Sequence, residues 1–259
     1  MTLTALMSAA TETIETAEAG GFMDGIASFF TDLGDSFYEN FIAEDRWMYL
    51  VNGLKNTLLI TILAIIIGLI LGFLVAVVRS THDKTGKMKF LNFLCKIYLT
   101  VIRGTPVVVQ LLIIYFVIFA SVNIDKTFVA VVAFGLNSGA YVAEIVRSGI
   151  MSIDNGQFEA GSSLGLSYSQ TMISIILPQA FKNVLPALAN EFIVLLKETS
   201  VAGYIAIEDL TKGGDIIRSQ TYEPFLPLVA VAVIYLVIVM LLTHLVSKLE
   251  RRLAKNDKR

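Results

Sequence analysis

The sequence is poor in the residues that build most catalytic and secreted domains. Among 259 residues there is one cysteine, Cys95, which excludes an internal disulfide framework and a CxxC metal pair and reads as a small apolar filler. The two histidines, His82 and His244, are far apart, and no HExxH, carboxylate-rich metal motif or nucleophile elbow accompanies them. A GxxxxGK[ST] loop is also missing, so ATP is not expected to bind this chain through a P-loop. Charge is scarce, at 16% of residues against roughly 25% in soluble domains. No repeat of short period is visible, which argues against a solenoid. The first twenty residues hold no apolar h-region, so no cleaved signal peptide is expected.

What is there is apolar. Hydrophobic residues make up 55% of the chain, and the mean hydropathy is +0.71. A helix needs about 20 mostly apolar residues to cross a bilayer. Leu58 to Val78 and Gly104 to Ile124 are charge-free runs of that length and read as spans one and two. Thr127 to about Ser148 reads as span three, and Pro224 to Ser247 as the last. Asn183 to Ile207 is apolar enough to be span four, although it carries Glu191, Lys197 and Glu198. The expectation is an all-α integral membrane protein of about five transmembrane helices.

Basic residues set orientation. The stretch Arg79 to Arg103 reads as a loop with six Lys or Arg against one acid, Asp83, and the tail Lys248 to Arg259 has six against two. Residues 1–53 hold nine acids and one basic residue, Arg46; residues 207–224 hold four acids and two basic residues. With five spans, this places the N-terminus outside and the C-terminus in the cytosol. Residues 1–50 are expected to be an extracytoplasmic or interfacial segment, 51–248 the membrane domain and 249–259 a basic cytosolic tail. Within the first segment, Phe22, Ile26, Phe29, Phe30, Leu33 and Phe37 recur at helical spacing, as in an amphipathic helix on the outer surface. Tyr38, Phe41 and Trp47 then fit an aromatic belt at the entry to span one.

Between the spans runs DNGQFEAGSSLGLSYSQTMISIILPQAF, Asp154 to Phe181. It reads as two short helices on the cytosolic side. Asp154 with Gln157 is an N-cap pattern, with Gly156 compatible with a turn, and Ser167 with Gln170 is a capping box. Ala160, Gly161, Ser162, Ser163 and Gly165 are all small, and glycine costs about 1 kcal/mol against alanine in an exposed helix. Such a surface is expected to seat closely against another backbone. Pro178 is expected to break or kink the chain as it re-enters the membrane.

The pattern Glu159-Ala160-Gly161, Gly165, Ile175, Leu177-Pro178 resembles the EAA loop of importer-type ABC transporter permeases. Three further segments, YLTVIRGTPVVVQLLIIYF (Tyr98–Phe116), SGAYVAEIVRSGIMSIDNGQ (Ser138–Gln157) and LPQAFKNVLPALANEFIVLLKETS (Leu177–Ser200), resemble the polar amino acid branch of that family, which carries histidine, glutamine and arginine. The similarity covers roughly residues 50–247. Gly161 stands where alanine is usual, and Asp154-Asn155 where Pro-Lys is expected. The resemblance implies that residues 151–170 form a coupling helix docking in an ATPase subunit, with Gly156, Gln157, Glu159, Ala160, Gly161, Gly165 and Pro178 as the docking set. It further implies a second permease, a copy or a close paralogue, and an extracytoplasmic solute-binding protein that delivers an amino acid. ATP and Mg would belong to the partner ATPase, and this chain would hold no cofactor, contact no nucleic acid and be no enzyme. The membrane would be the cytoplasmic membrane of a prokaryote.

Ionisable groups inside a span usually face a cavity or a partner. Asn137, Tyr141, Glu144 and Ser148 share one helical face. Glu191 and Glu198 share another, Asn190 and Lys197 the adjoining one, with Thr199 and Ser200 following; Arg103 and Gln110 lie seven apart in span two. Either Glu191 or Glu198 could meet an ammonium or a basic side chain, and either Lys197 or Arg103 a carboxylate. The alternative for each is an ion pair within the protein or a place at the interface; for Glu144, near Arg147, the choice is between an ion pair, a gate and ligand contact. A break after Leu196 is expected, as in discontinuous transport helices. An ion-coupled secondary transporter is the alternative; it would want paired broken helices, and the sequence offers one interrupted span.

Overall fold

The computed structural model describes residue 28 and residues 31–256, and its regular structure there is entirely helical. Most of the N-terminal amphipathic segment expected from sequence lies outside the described residues. Just before the first long helix, Asn40 is buried, donates to Glu223 and accepts from the Thr221 hydroxyl at 2.8 Å. This short stretch is thereby pinned to the link between the last two helices.

The first helix, α1, spans Trp47–Thr85. At 39 residues it is about 58 Å long, well beyond an apolar core of about 30 Å. It stops where Gly86 takes a left-handed conformation (φ 67°) and returns its N–H to the His82 carbonyl. Helix α4, Lys126–Met151, starts on Asp125, whose carboxylate accepts from the Phe128 amide at 3.1 Å. These two helices form the centre of the bundle. Gly68 and Gly72 of α1 lie against Ser138, Gly139 and Val142 of α4, and Gly135 of α4 against Ala64 and Ile67 of α1, with a small-xxx-small pattern on both helices. A Cβ at Gly72 would come within 2.6 Å of Val142, so only glycine permits this approach.

Between α1 and α4 the chain forms α2, Lys89–Arg103, and α3, Val107–Ile118, bent by 108° at residues 104–106. This corrects the reading of Arg79 to Arg103 as a loop: α1 runs through its first part and α2 fills most of the rest. Phe90, Phe93, Leu94, Ile97 and Val101 recur at helical spacing and are exposed on one face, while Asn92 and Leu99 are buried on the other. The lysines that signalled a loop lie on or beside a helix.

Helix α5, Asn155–Ser163, follows α4 after Asp154 caps it through the Gly156 amide at 2.6 Å. Helix α6 runs Tyr168–Ile205, passing through a π-turn at Met172–Ile176 and tightening to a 3-10 helix at Thr199–Ile205. The Ser167–Gln170 capping box forms with both of its bonds. Two expectations are corrected here. The helix does not break after Leu196, and Pro178 does not end it. Pro178 follows directly on the π-turn, so the irregularity expected at this proline takes the form of a π-turn inside a continuing helix. The sharp break lies at residues 104–106, between α2 and α3, instead.

Helix α7, Leu210–Thr221, is capped by Asp209 and packs on the start of α1, where Gly53 lies against the Asp209 carbonyl and Gly213 against the Tyr49 carbonyl. Helix α8, Phe225–Asn256, is apolar and open along much of its length. Among the described residues, four helices are long and apolar enough to cross a membrane, or five if the bent pair counts as one span. The main core gathers Ile60, Ala64, Leu111, Phe134, Leu195 and Ile205 from α1, α3, α4 and α6.

Candidate functional site

The polar residues read from the spans fall into three groups. The first is a buried lock at the helix break. Breaking a helix inside a bilayer frees backbone carbonyls that lipid cannot satisfy. Gln110 of α3 supplies the donors: its amide nitrogen bonds the carbonyls of Ile102 (2.7 Å) and Thr105 (2.9 Å). Its oxygen accepts from Asn137 of α4 at 3.2 Å. Both side chains are buried. One residue along, the Ser138 hydroxyl donates to Glu191 at 2.8 Å, and Glu191 is only 6% exposed. Gln110, Asn137 and Glu191 therefore tie α3, α4 and α6 together away from the two cavities described below, with the Asn137 oxygen left without a hydrogen-bond partner.

The second group is a charged cavity of about 560 Å³ lined by residues of α1, α2 and α4, with Gly104 at the break. Glu144 of α4 accepts from Arg79 of α1 at 2.8 Å and lies 3.8 Å from Arg103 and 3.6 Å from Arg147. Arg103 also stands over the Tyr141 ring, 5.8 Å from its centre. Lys96 lines the same space. Three cations thus surround one carboxylate in the lining, leaving an excess of positive charge and guanidinium N–H groups free to meet an anionic oxygen. Sequence reading found Arg103, Tyr141 and Glu144 but missed Arg79 and Lys96, because both were counted as loop charges. Their spacing on helical faces was the signal that could have found them.

The third group lies on α6 and beyond. Asn190 and Lys197 are exposed, Glu198 is half-buried with one oxygen unpartnered, and Thr199 turns back onto the Leu196 carbonyl at 2.8 Å. Ser200 lines a separate cavity of about 420 Å³ with Asp209, Lys212, Asp215 and Arg218. There Asp215 is held below the usual carboxylate range by hydrogen bonds from Lys212 and Arg218. Asp209, which caps α7, is fully buried, and burial pushes its carboxyl up to about 6 against backbone N–H groups that hold it down. Asp209 was not read as a site residue from sequence. The structure separates these α6 residues from the Glu144 cavity within this chain. No cluster of three His, Cys, Asp or Glu able to hold a metal ion occurs among the described residues.

The loop 154–167 presents Gln157, Glu159, Ala160 and Leu164 outward, with Leu164 78% exposed. The two glycines serve the chain itself. A Cβ at Gly161 would meet Thr171 Oγ1 at 2.5 Å, and Gly165 takes φ 77° to turn the chain into α6. Of the small residues expected to form a contact surface, Gly161 alone is buried against this chain; Ala160, Ser162, Ser163 and Gly165 are exposed.

The family described as "Binding-protein-dependent transport system inner membrane component" matches residues 65–255. The arginine transport system permease protein ArtQ of Bacillus subtilis is 44% identical over 162 residues, 62% of this chain and 74% of that one. The L-cystine transport system permease protein TcyB of the same organism is 37% identical over 223 residues, 85% of this chain and 93% of that one. A crystal structure of an amino acid ABC transporter with histidines superposes with a TM-score of 0.74 at 41% identity, over 82% of this chain and 98% of that one. The chain belongs to this family of inner-membrane permease components. As an ABC permease subunit it is not an enzyme; a separate ATPase hydrolyses ATP and a binding protein presents the substrate.

Proposed function

We propose that this chain carries a polar amino acid across the cytoplasmic membrane, and that the Glu144 cavity is where the zwitterion is held in transit. The observation that carries this reading is the composition of that cavity: Arg79, Lys96 and Arg103 around a single carboxylate. Arg103, the most exposed of the guanidiniums around Glu144 at 45%, and Lys96 meet the substrate carboxylate, while Glu144 meets its ammonium. The names of the relatives, which specify arginine and cystine, support an amino acid. Lys197 and Asn190, exposed on α6, and the half-buried Glu198 face the pathway from its other side, where a second permease completes the wall; Ser200, with the buried Thr199 behind it, marks its outer end.

In the same reading α5 and the C-terminus are cytosolic and residues 38–50 and α7 face outward, following the basic residues of 79–103 and 248–259. The ATPase, which holds ATP and Mg, grips the loop around Gln157, Glu159, Ala160 and Leu164, with Gly156, Gly161, Gly165 and Pro178 shaping it. ATP binding closes the ATPase pair, tilts the spans and opens the cavity outward; hydrolysis resets it. The test is uptake by the complete transporter reconstituted with its ATPase and binding protein. The reading expects ATP-dependent uptake of an amino acid, competed by other amino acids with a free carboxylate but not by their amides. Equal competition by amides would refute the cavity assignment.

A further inference from the structure

The docking loop is joined to the Glu144 cavity by covalent connection through α4 and by a second route that runs through the last turn of α1. Lys84, on that turn, donates to Asn155 Oδ1 at 2.5 Å and stands 4.9 Å above the centre of the Phe158 ring. Phe158 in turn stacks on Tyr168, with ring centres 5.9 Å apart and planes 10° from parallel. One flexible side chain thus touches α5 twice, and the ring it covers is packed against the start of α6. Lys84 itself is exposed, so it is the pairing of one amide with one ring, not burial, that fixes its side chain across the two helices.

The same turn of α1 reaches the cavity on its other side. Arg79 bonds Glu144, and Asp83 lies 3.5 Å from Arg147, which itself pairs with Glu144. Residues 79–84 therefore hold α4's charged face and the inner side of α5, at Asn155 and Phe158, together. We propose that Lys84 is a positioning residue for energy coupling: it ties α5 to α1, so that a push on the docking loop moves α1 and the cavity as one body. This rests on the reading of the loop as the ATPase-docking element.

The test uses the full transporter in proteoliposomes, with ATP hydrolysis and uptake of radiolabelled arginine, glutamine or cystine measured in the same vesicles. Lys84→Met is expected to raise the ATP consumed per substrate imported about tenfold, and Lys84→Arg to return it to within about twofold of wild type. A ratio for Lys84→Met that matches wild type overturns the proposal. A second arm avoids the lost side chain. In a Cys95→Ser background, Lys84→Cys and Asn155→Cys are bridged by a short bifunctional thiol reagent. Retained uptake supports one rigid body; uptake abolished by the bridge means the two elements slide past each other, and overturns it. A wild-type complex that hydrolyses ATP with no amino acid uptake would overturn the proposed function, and the coupling role with it.

Discussion

Two polar clusters lie against α4, two turns apart, and they differ in what they leave over. At Asn137, the donors of Gln110 are taken by the carbonyls of the helix break and Asn137's amide is taken by Gln110. At Glu144, one carboxylate is shared among Arg79, Arg103 and Arg147, and Lys96 has no acid beside it in the cavity lining. The first cluster is buried, with its amide donors engaged and only the Asn137 oxygen left without a partner; the second opens into about 560 Å³ of space. A polar residue in an apolar helix is expensive in either case. Whether its hydrogen-bonding capacity is already spent separates a structural residue from an available one.

The largest expected effect comes from breaking the closed cluster. Gln110→Met keeps the volume but strands the carbonyls of Ile102 and Thr105, at about 1–3 kcal/mol for each orphaned group. The variant should lose much of its folded yield in detergent and unfold at a markedly lower temperature. A stable, fully expressed Gln110→Met would mean that water already satisfies the break and that Gln110 is available to substrate after all.

The open cluster should respond in function rather than in stability. Glu144→Gln leaves three guanidiniums without their shared acid, and Arg103→Ala removes the most exposed of them. Losing one charge-assisted contact, worth about 1.5–3 kcal/mol, raises the half-saturating substrate concentration tenfold or more. Both proteins should still assemble with the ATPase. Uptake kinetics with unchanged half-saturation in Arg103→Ala would empty the cavity of its proposed role.

Asp209 sharpens the comparison because it is a buried carboxylate only partly satisfied: it caps α7 through the Lys212 amide at 2.6 Å, yet its other oxygen has no hydrogen-bond partner. Burial raises its carboxyl from 3.8 to about 6. The folded state therefore holds this proton more tightly than the unfolded chain does. The stability this confers is present below about pH 4 and is lost as pH rises through about 6, a swing on the order of 3 kcal/mol. Asn caps a helix as well as Asp does. Asp209→Asn should unfold at a higher temperature than wild type at pH 7.5 and at a similar one at pH 4.5. A wild-type unfolding temperature flat across that range would refute it.

The positions of spans one, three and five were legible in the sequence, as were the Asp154 and Ser167 caps, because apolar runs and cap chemistry are local; the extension of α1 to 39 residues was not. The break at residues 104–106 was not. Lys87, Lys89 and Lys96 gave the signature of a loop, while Phe90, Phe93, Leu94, Ile97 and Val101 carried the helical period that outweighed it. Gly161 was read as a surface for a partner, since composition cannot say that Thr171 of the same chain fills the space. The candidate site was half legible: Arg103, Tyr141 and Glu144 have helical spacing or sequence proximity to reveal them, whereas Arg79 joins them only through the long-range packing of α1 on α4. Saturation is equally invisible in one dimension. Glu191 looked exceptional for its depth in an apolar run, and nothing local announced that the Ser138 hydroxyl was its partner.

The smallest effect is therefore expected at Glu191, and it is the sharpest test of the distinction. Glu191→Gln removes a charge from the bilayer interior but keeps an oxygen that can accept from Ser138. With 6% exposure the side chain has no contact with the Glu144 cavity in this chain. Half-saturation should stay within about twofold of wild type, with the preference among arginine, glutamine and cystine unaltered, since only interactions made with the substrate change its binding. The unfolding temperature should hold or rise, because an uncharged amide costs less to bury than a carboxylate. A tenfold loss of affinity in Glu191→Gln, beside an intact Ser138→Ala, would place the α6 acid in the pathway. Hydrogen-bond saturation would then no longer separate the residues that hold this bundle together from those that meet what passes through it.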